Sequence, residues 1–280
     1  MAEAKHQSNT LSRRKMALVI GIDDYKYSKP LKNAVNDANA MAYTLQSIGF
    51  TVTKEINPTY DKMKTALFNF EQSIKQDSMV LFYFAGHGIQ WEDQNFLIPK
   101  ENANKEDANI QQAVLSSKEM TIQIKDNPDV SLEKLKRHMI HVQRLLEDFT
   151  DRLPFATICL LDCCRVYFRR SPNLDKMTAR AFSTDDSKLC DQRPIGNVGT
   201  LIGFACAAGT IAYDNGQQAN GLFTKHLLEH IVKPNRDIFK ILGAVTRAVK
   251  EESALRQIPY HTGSLSTEDD ICLCETAPGT

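Results

Sequence analysis

Two short motifs bring together a histidine and a cysteine, the residue types that perform nucleophilic catalysis by a thiolate. The first motif is Phe84-Ala85-Gly86-His87-Gly88 and the second is Leu161-Asp162-Cys163-Cys164-Arg165. Each motif begins where a wholly apolar run ends. A free thiol is mostly protonated near neutral pH, and a nearby imidazole can favour the thiolate and then protonate a leaving amine. The two motifs therefore predict a cysteine-peptidase dyad with Cys164 as nucleophile and His87 as acid and base.

The backbone around these residues offers candidate donors to an oxyanion. The glycines that flank His87 have no Cβ, so a substrate can approach the main chain closely there. The amide N–H groups of Gly88 and Cys164 are the predicted donors. Each motif alone has an ordinary explanation, a turn for Gly-His-Gly and an inert buried thiol for a cysteine. Their matching positions after apolar runs favour the catalytic interpretation.

The elements that must position the two motifs alternate between strand-like and helix-like segments, which predicts an α/β fold. Strands are predicted at 16–22, 50–55, 79–84, 155–161 and 198–205, with a short strand near 258–262. Helices are predicted at about 31–48, 60–75 and 132–149, and from Leu222 and Ile238 onward. Residues at the carboxyl ends of parallel strands line the ligand crevice, so His87 and Cys164 are expected to meet there.

Length and composition predict one domain in a reducing compartment. Residues 16–280 form the expected catalytic domain, residues 1–15 a basic tail predicted to be disordered, and residues 165–197 a long polar loop. The 34 Lys plus Arg residues balance 34 Asp plus Glu residues, so no global charge favours nucleic acid or an anionic membrane. The polar start of the chain, the short apolar run 201–212 and seven cysteines without a paired framework predict a cytoplasmic protein without structural disulfides.

The two motifs resemble those of the caspase-like cysteine peptidases, a clan of caspases, metacaspases and paracaspases, and the paracaspases are the most similar branch. The segments Ala17 to Gly21, Leu31 to Asp37, Gly203 to Cys206 and Ala219 to Phe223 also resemble paracaspase segments, in the same order. The resemblance implies a caspase-like fold, with a mostly parallel central sheet of about six strands flanked by helices on both faces. It also places the nucleophile two residues after Asp162, which favours Cys164 over its rival Cys163 and leaves Cys163 as a packing residue.

The resemblance further implies cleavage of polypeptides after Arg or Lys rather than after aspartate, since Asp-Cys-Cys-Arg-Val replaces the caspase sequence Gln-Ala-Cys-Arg-Gly. A guanidinium is best held by carboxylates that accept paired N–H bonds. Asp37, Asp162 and Asp214 match the acidic positions of the paracaspase P1 pocket, the site that holds the side chain before the cleaved bond. The ordinary alternative for Asp37 or Asp214 alone is an exposed surface carboxylate.

The loop at residues 165–197 contains basic residues that such an enzyme would accept, namely Arg169, Arg170, Arg180, Lys188 and Arg193. Self-processing is therefore one hypothesis, and a merely solvated charged loop is the other. The resemblance is compatible with a homodimer, as in many caspases, and with a monomer, as in metacaspases. Calcium activation also stays open, because the pairs Glu106-Asp107 and Asp185-Asp186 are acidic but do not by themselves form a cage of six or more oxygens.

Two interpretations from other classes compete with the cysteine peptidase. His226, Glu229 and His230 match the H-x-x-E-H pattern of a zinc peptidase, but such a metal needs a third protein ligand from elsewhere, and the same helix is explained by its apolar packing residues. The other interpretation is a catalytically idle scaffold or dimerisation module with the same fold. The presence of both dyad residues and of the acidic pocket candidates favours the enzyme.

Overall fold

The computed structural model describes residues 13–26, 30–91, 94–101, 132–163, 166–168, 199–207, 212, 218–265 and 270–276. Its strands are β1 (Lys15–Gly21), β2 (Thr51–Ile56), β3 (Met79–Ala85), β4 (Gly88–Trp91), β5 (Gln94–Leu97), β6 (Ile140–His141), β7 (Ala156–Asp162), β8 (Val166–Phe168), β9 (Gly199–Phe204) and β10 (Tyr260–Gly263). Its helices are α1 (Ala34–Ser47), α2 (Tyr60–Ser73), α3 (Leu132–His138), α4 (Val142–Thr150), α5 (Leu222–Ile231) and α6 (Ile238–Glu252).

Six strands form the central sheet in the order β10-β9-β7-β3-β1-β2. All neighbouring pairs are parallel except β10 and β9, which run antiparallel at one edge. Parallel neighbours require crossover connections, and helices supply those from β1 to β2, from β2 to β3 and from β3 to β7, in the alternating order that the sequence predicts. The predicted α/β fold with a mostly parallel sheet of six strands is confirmed.

The core lies on both faces of this sheet, because alternate residues of each strand point to opposite sides. In β3, Val80, Phe82 and Phe84 pack on one face with α2 and α4. Leu81 and Tyr83 pack on the other face with α1, α5 and α6. Burial on both faces explains why this strand is a continuous apolar run rather than an alternating one.

The segment 132–149 differs from the prediction of a single helix. The structure has α3 and α4, separated by the two-residue strand β6. Ile140 pairs with Leu97 and His141 with Phe96, so a second, four-stranded sheet forms in the order β6-β5-β4-β8. Backbone pairing with a strand distant in sequence overrides the local helical periodicity at this point.

None of the five described cysteines, at positions 159, 163, 206, 272 and 274, forms a disulfide. No helix in the described ranges has both the length and the apolar composition needed to cross a membrane.

Candidate active site

The carboxyl ends of β3 and β7 lie side by side and deliver both sequence motifs to one place. Ala85 and Asp162 are register partners at the ends of these two strands. The amide of Gly86 then donates to the main-chain oxygen of Asp162 at 3.3 Å. His87 follows immediately, so the histidine motif is tied to the segment that leads to Cys164.

Cys164 lies outside the residues that the structure describes, and the described residues on either side of it, Cys163 and Val166, lie beside the histidine motif. Cys163 follows the last residue of β7. Val166 begins β8 and pairs in parallel with Ile89, two residues after His87. The chain therefore passes the histidine motif immediately before and after the predicted nucleophile.

A tyrosine hydroxyl holds the main chain at His87. The Tyr25 hydroxyl accepts the His87 amide at 2.9 Å and donates to the carbonyl oxygen of Ile98 at 3.0 Å. The amide of Ile98 donates to the His87 carbonyl at 3.0 Å, so the hydroxyl replaces one bond of the ladder between the two chains. Burial raises the pKa of Tyr25 well above its usual value, which keeps this phenol a donor. Its ring also lies 4.5 Å from the imidazole, centroid to centroid.

The close approach of Tyr25 explains why residue 86 is glycine. A Cβ at Gly86 would lie 2.7 Å from the Tyr25 hydroxyl oxygen and 2.8 Å from the Phe84 ring. Both contacts are shorter than a carbon atom tolerates, so a side chain would displace the bridge to His87.

The amide of Gly88 is directed away from β5. Hydrogen-bonded and non-hydrogen-bonded pairs alternate along an antiparallel ladder. Because His87 and Ile98 form a hydrogen-bonded position, the next pair, Gly88 with Leu97, is of the other kind. The Gly88 N–H therefore points to the side of β4 on which β8 lies, where the chain continues from Cys164.

The imidazole of His87 is electrically neutral at physiological pH. Burial lowers its pKa from the ordinary value of 6.5 to about 4, because a buried site disfavours the charged form. A neutral imidazole can accept the proton of a thiol, which is the first task of a general base.

This burial predicts that acid destabilises the protein through His87. Between the unfolded pKa near 6.5 and the folded pKa near 4, the unfolded chain binds more protons, so stability falls as pH falls through this window and levels off below it. The loss is expected to reach about 2 kcal/mol by pH 5. Urea denaturation of Cys164→Ala and Cys164→Ala/His87→Gln from pH 7.5 to 4 measures it without the thiol. The free energy of unfolding should fall more steeply with pH in the protein that keeps His87 than in the His87→Gln protein. Parallel curves of this free energy against pH would contradict the assignment.

Two carboxylates from distant elements meet at the start of α5. Asp37 Oδ1 accepts the Asn220 side-chain amide at 2.9 Å and the Gly221 main-chain amide at 3.0 Å. Asp162 Oδ2 accepts the Thr224 hydroxyl at 2.6 Å. Backbone N–H groups and the helix dipole at this N-terminus favour negative charge, which helps to hold two carboxylates so close.

The surface alternative for Asp37 is wrong, because this side chain is only 3% exposed. Asp162 is half-buried. Asp37, Asp162, His87, Gly86 and Gly221 border one cavity, so two of the three predicted pocket acids share a space with the predicted general base. The third, Asp214, lies outside the described residues, as do the acidic pairs Glu106-Asp107 and Asp185-Asp186.

Several residues that shape this site carried no signal in the sequence. Tyr25, Asn220 and Thr224 are ordinary polar residues in apolar or turn-like surroundings. Each gains its role from a partner far along the chain, such as Tyr25 with His87, 62 positions away. Asn220 lies in the segment 219–223 that resembles the paracaspases, but the resemblance gave it no role.

The zinc alternative finds no support in the geometry of its residues. Among the described residues, which include His226, Glu229 and His230, no group of three potential metal ligands is close enough to hold an ion. His226 Nδ1 contacts Glu229 at 3.1 Å and its Nε2 contacts Glu252 at 2.9 Å. His230 Nδ1 contacts the Lys233 ammonium at 2.7 Å. The contact with Glu252 joins α5 to α6, and the other two lie within α5 or at its end.

Comparisons with known proteins agree with this arrangement. Residues 14–269 match the family described as Caspase domain. The human mucosa-associated lymphoid tissue lymphoma translocation protein 1 is 22% identical over 231 residues, which cover 81% of this chain and 23% of that protein. The chain thus spans about a quarter of the length of this curated relative.

Two solved structures share the fold across nearly the whole chain. Caspase-1 from Spodoptera frugiperda superposes with a TM-score of 0.62 at 15% identity, covering 95% of this chain and 93% of that one. A protein from Geobacter sulfurreducens superposes with a TM-score of 0.56 at 13% identity, covering 94% of each chain. The family match shows that this chain belongs to the caspase-domain family, as a caspase-like peptidase related to the paracaspases.

Proposed function

We propose that this protein is a cysteine endopeptidase that cleaves polypeptides after Arg or Lys, with Cys164 and His87 as its catalytic dyad. In the first step the Cys164 thiolate attacks the scissile carbonyl carbon, and a carbon–sulfur bond forms. His87 takes up the thiol proton and gives it to the departing amine, which leaves a thioester. Water, deprotonated by His87, then hydrolyses the thioester and regenerates the thiol.

The amides of Gly88 and Cys164 are the proposed oxyanion donors. The orientation of the Gly88 N–H, away from β5 and toward the side of β8, supports this role. Donors already fixed in place stabilise the charge that develops on the carbonyl oxygen without reorganising.

The observation that supports basic P1 specificity most directly is the meeting of Asp37 and Asp162 in the cavity that His87 borders. A Cβ at Gly221 would lie 3.0 Å from Asp37 Oδ2 and 3.3 Å from Asp162 Oδ2, so both oxygens face the same point. Two adjacent carboxylates repel each other, and a guanidinium or ammonium between them relieves that repulsion. Asp214 is proposed as the third acid of this pocket.

A matched series of fluorogenic peptides tests the proposal. The peptides differ only at P1, which is Arg, Lys, citrulline, Asp or Leu, and citrulline has nearly the shape of Arg without its charge. Cleavage of the Arg and Lys peptides is expected to exceed that of the citrulline peptide by about a hundredfold or more, because the buried acids recognise charge. Asp37→Asn and Asp162→Asn should each reduce the ratio of Arg to citrulline cleavage. Preferential cleavage after Asp would contradict the pocket, and silence on every peptide would favour the idle scaffold.

The same assay addresses metal dependence, since the proposed reaction uses only side chains and backbone amides. Each peptide is cleaved in the presence of calcium and in the presence of a chelator. A requirement for calcium would indicate an activation step outside this chemistry, of the kind that an acidic cage provides.

We further propose that the enzyme processes its own loop at residues 165–197, which lies outside the described residues except for β8. Its basic residues, among them Arg169, Arg170, Arg180, Lys188 and Arg193, supply the P1 side chains that the pocket would hold. Intact-mass analysis of the wild type and of Cys164→Ala should show fragments only in the active protein. Identical single masses would dispose of self-cleavage.

We also propose an assembly and a cellular location for this enzyme. Polypeptides with a basic P1 residue are the proposed partners, and a homodimer, as in many caspases, is the proposed assembly. The five described cysteines form no disulfide, which is compatible with the reducing cytoplasm that stays the predicted location.

A further inference from the structure

A pair of buried hydroxyl groups lies behind the proposed P1 pocket. Thr224 Oγ1 donates to Asp162 Oδ2 at 2.6 Å, and the Tyr83 hydroxyl lies 2.5 Å from the same Thr224 oxygen. Thr224 and Tyr83 are completely buried, although each carries a polar group. Thr224 belongs to α5 and Tyr83 to β3, and the two residues lie 141 positions apart in the chain.

The direction of this hydrogen-bond chain follows from counting protons. An ionised carboxylate only accepts, so the single hydroxyl proton of Thr224 is given to Asp162. The short contact between the two hydroxyls then requires Tyr83 to donate to Thr224. Burial raises the pKa of Tyr83 well above its usual value, and the charges of Asp37 and Asp162 raise it further, so the phenol keeps the proton that it donates.

We propose that Thr224 is a positioning residue for specificity: together with Tyr83 it orients the Asp162 carboxylate toward the P1 side chain and keeps it ionised. This inference rests on the proposed cleavage after basic residues. The hydroxyl relay, formed by Tyr83 and Thr224, ends on Oδ2 of the Asp162 carboxylate.

Packing alone does not explain the two hydroxyls. Valine has nearly the shape of threonine, and phenylalanine nearly that of tyrosine, so an apolar pair would fill the same space without burying polar groups. A buried hydrogen bond to a charged group instead fixes the orientation of that group and disfavours its neutral form.

The charge environment of Asp162 makes such a donor useful. Asp37 faces it from α1 across Gly221, and this second negative charge opposes ionisation. His87 and Cys163 border the same cavity, and Tyr83 lies behind Thr224. His87 is neutral at physiological pH, so it supplies no cation to balance the two acids. The hydroxyl relay and the N-terminus of α5 are two features that favour the charged form.

The test compares Thr224→Val, which removes the donor, with Thr224→Ser, which restores it. Thr224→Val is expected to raise KM for the Arg peptide and to lower kcat/KM about ten- to a hundredfold, with kcat little changed. Cleavage of the citrulline peptide should change far less, and Thr224→Ser should return the Arg to citrulline ratio to near the wild-type value. Tyr83→Phe, which removes the far end of the relay, should have a smaller effect in the same direction.

The pH dependence distinguishes positioning from a general structural defect. The acid limb of kcat/KM should move to higher pH in Thr224→Val for the Arg peptide but not for the citrulline peptide, because only Arg binding needs the charge of Asp162. An equal fall for all peptides, or an unchanged Arg to citrulline ratio, would overturn the proposal.

A readout without catalysis separates this inference from the proposed function. In Cys164→Ala protein, the carboxyl carbon resonance of Asp162, assigned with Asp162→Asn, should titrate at higher pH when Thr224→Val is added and should return with Thr224→Ser. An unchanged titration midpoint would overturn the relay whatever the peptides show. A shifted midpoint in an enzyme that does not prefer Arg would support the relay and reject the P1 assignment instead.

Discussion

Cys164→Ala is expected to abolish peptide cleavage, with kcat/KM falling by a factor on the order of 10⁴ or more, because no other group in the proposed mechanism forms the covalent intermediate. His87→Ala should cause a loss of similar size, since the imidazole both activates the thiol and protonates the leaving amine. The loss should appear in kcat, with substrate binding largely retained. Steady-state kinetics on the Arg peptide, with unfolding curves as a check on folding, measure both variants.

Cys163→Ala is the matched control, because the neighbouring thiol is the rival nucleophile. Cys163 is only 5% exposed and belongs to the apolar cluster that includes α2 and α4, where a thiol acts as a small apolar group. Its removal should cost about 1 to 2 kcal/mol of unfolding free energy and leave cleavage within a few-fold of wild type. Alkylation of the native enzyme should likewise label position 164 first. A folded Cys163→Ala enzyme without activity, beside an active Cys164→Ala enzyme, would reverse the assignment.

Much of the central sheet is predictable from the sequence, because its strands are buried on both faces. A continuous apolar run such as Met79 to Ala85 is typical of a strand in the middle of a parallel sheet covered by helices. The starts of α5 and α6 were equally clear, at Leu222 and Ile238. In α6 the side chain of Asp237 accepts the amide of Phe239, an ordinary N-cap that the local sequence encodes.

The break between α3 and α4 was not predictable, because the local sequence is equally compatible with one continuous helix. The break is caused by the pairing of Ile140 with Leu97, a residue of β5 that lies more than forty positions earlier in the chain. The second sheet as a whole depends on such long-range pairing. Hydrophobic periodicity depends only on residues close together in sequence, so it gives no information about a strand partner far along the chain.

Sequence-based prediction has the same limit for the side chains of the pocket, because their partners lie far along the chain. Asp37 lies off the apolar stripe of α1, and a carboxylate in that position is usually exposed. It is buried because Asn220 and Gly221, from the start of α5, supply the hydrogen bonds that a buried charge needs. Family resemblance pointed to Asp37 where residue pattern alone did not. The hydroxyls of Thr224 and Tyr25 had neither signal, since their partners are known only once the chain is folded.

Gly221→Ala is expected to impair cleavage after Arg while leaving the protein folded. The added Cβ would lie between the two acids, 3.0 Å from Asp37 Oδ2 and 3.3 Å from Asp162 Oδ2. It would occupy the point that a guanidinium has to approach and would push the carboxylates apart. A displacement of this size at a binding site can cost on the order of a hundredfold in kcat/KM.

The backbone itself offers no resistance to this substitution. Gly221 has φ of −58° and ψ of 151°, which alanine adopts without strain. Any loss of activity therefore comes from the methyl group and not from a distorted chain. Alanine also restricts the unfolded chain more than glycine does, which offsets part of the cost of the close contacts.

Gly243→Ala is the matched control, a substitution of the same kind inside α6. The nearest atom to its Cβ would be a guanidinium nitrogen of Arg247 at 4.0 Å, so the methyl group meets no crowding. It should raise the free energy of unfolding by about 0.5 to 1 kcal/mol and leave cleavage unchanged. Comparing the two variants separates the effect of a methyl group at the pocket from the general effect of replacing glycine by alanine.

The peptide series decides what the methyl group at position 221 blocks. If Asp37 and Asp162 bind the P1 cation, Gly221→Ala should lower cleavage of the Arg peptide far more than that of the citrulline peptide, through KM rather than kcat. An equal loss on both peptides would mean that the methyl group obstructs the peptide chain or the dyad. Wild-type cleavage after Arg in a folded Gly221→Ala enzyme would show that the two carboxylates do not form the P1 site, because a guanidinium held between them could not share that space with a methyl group.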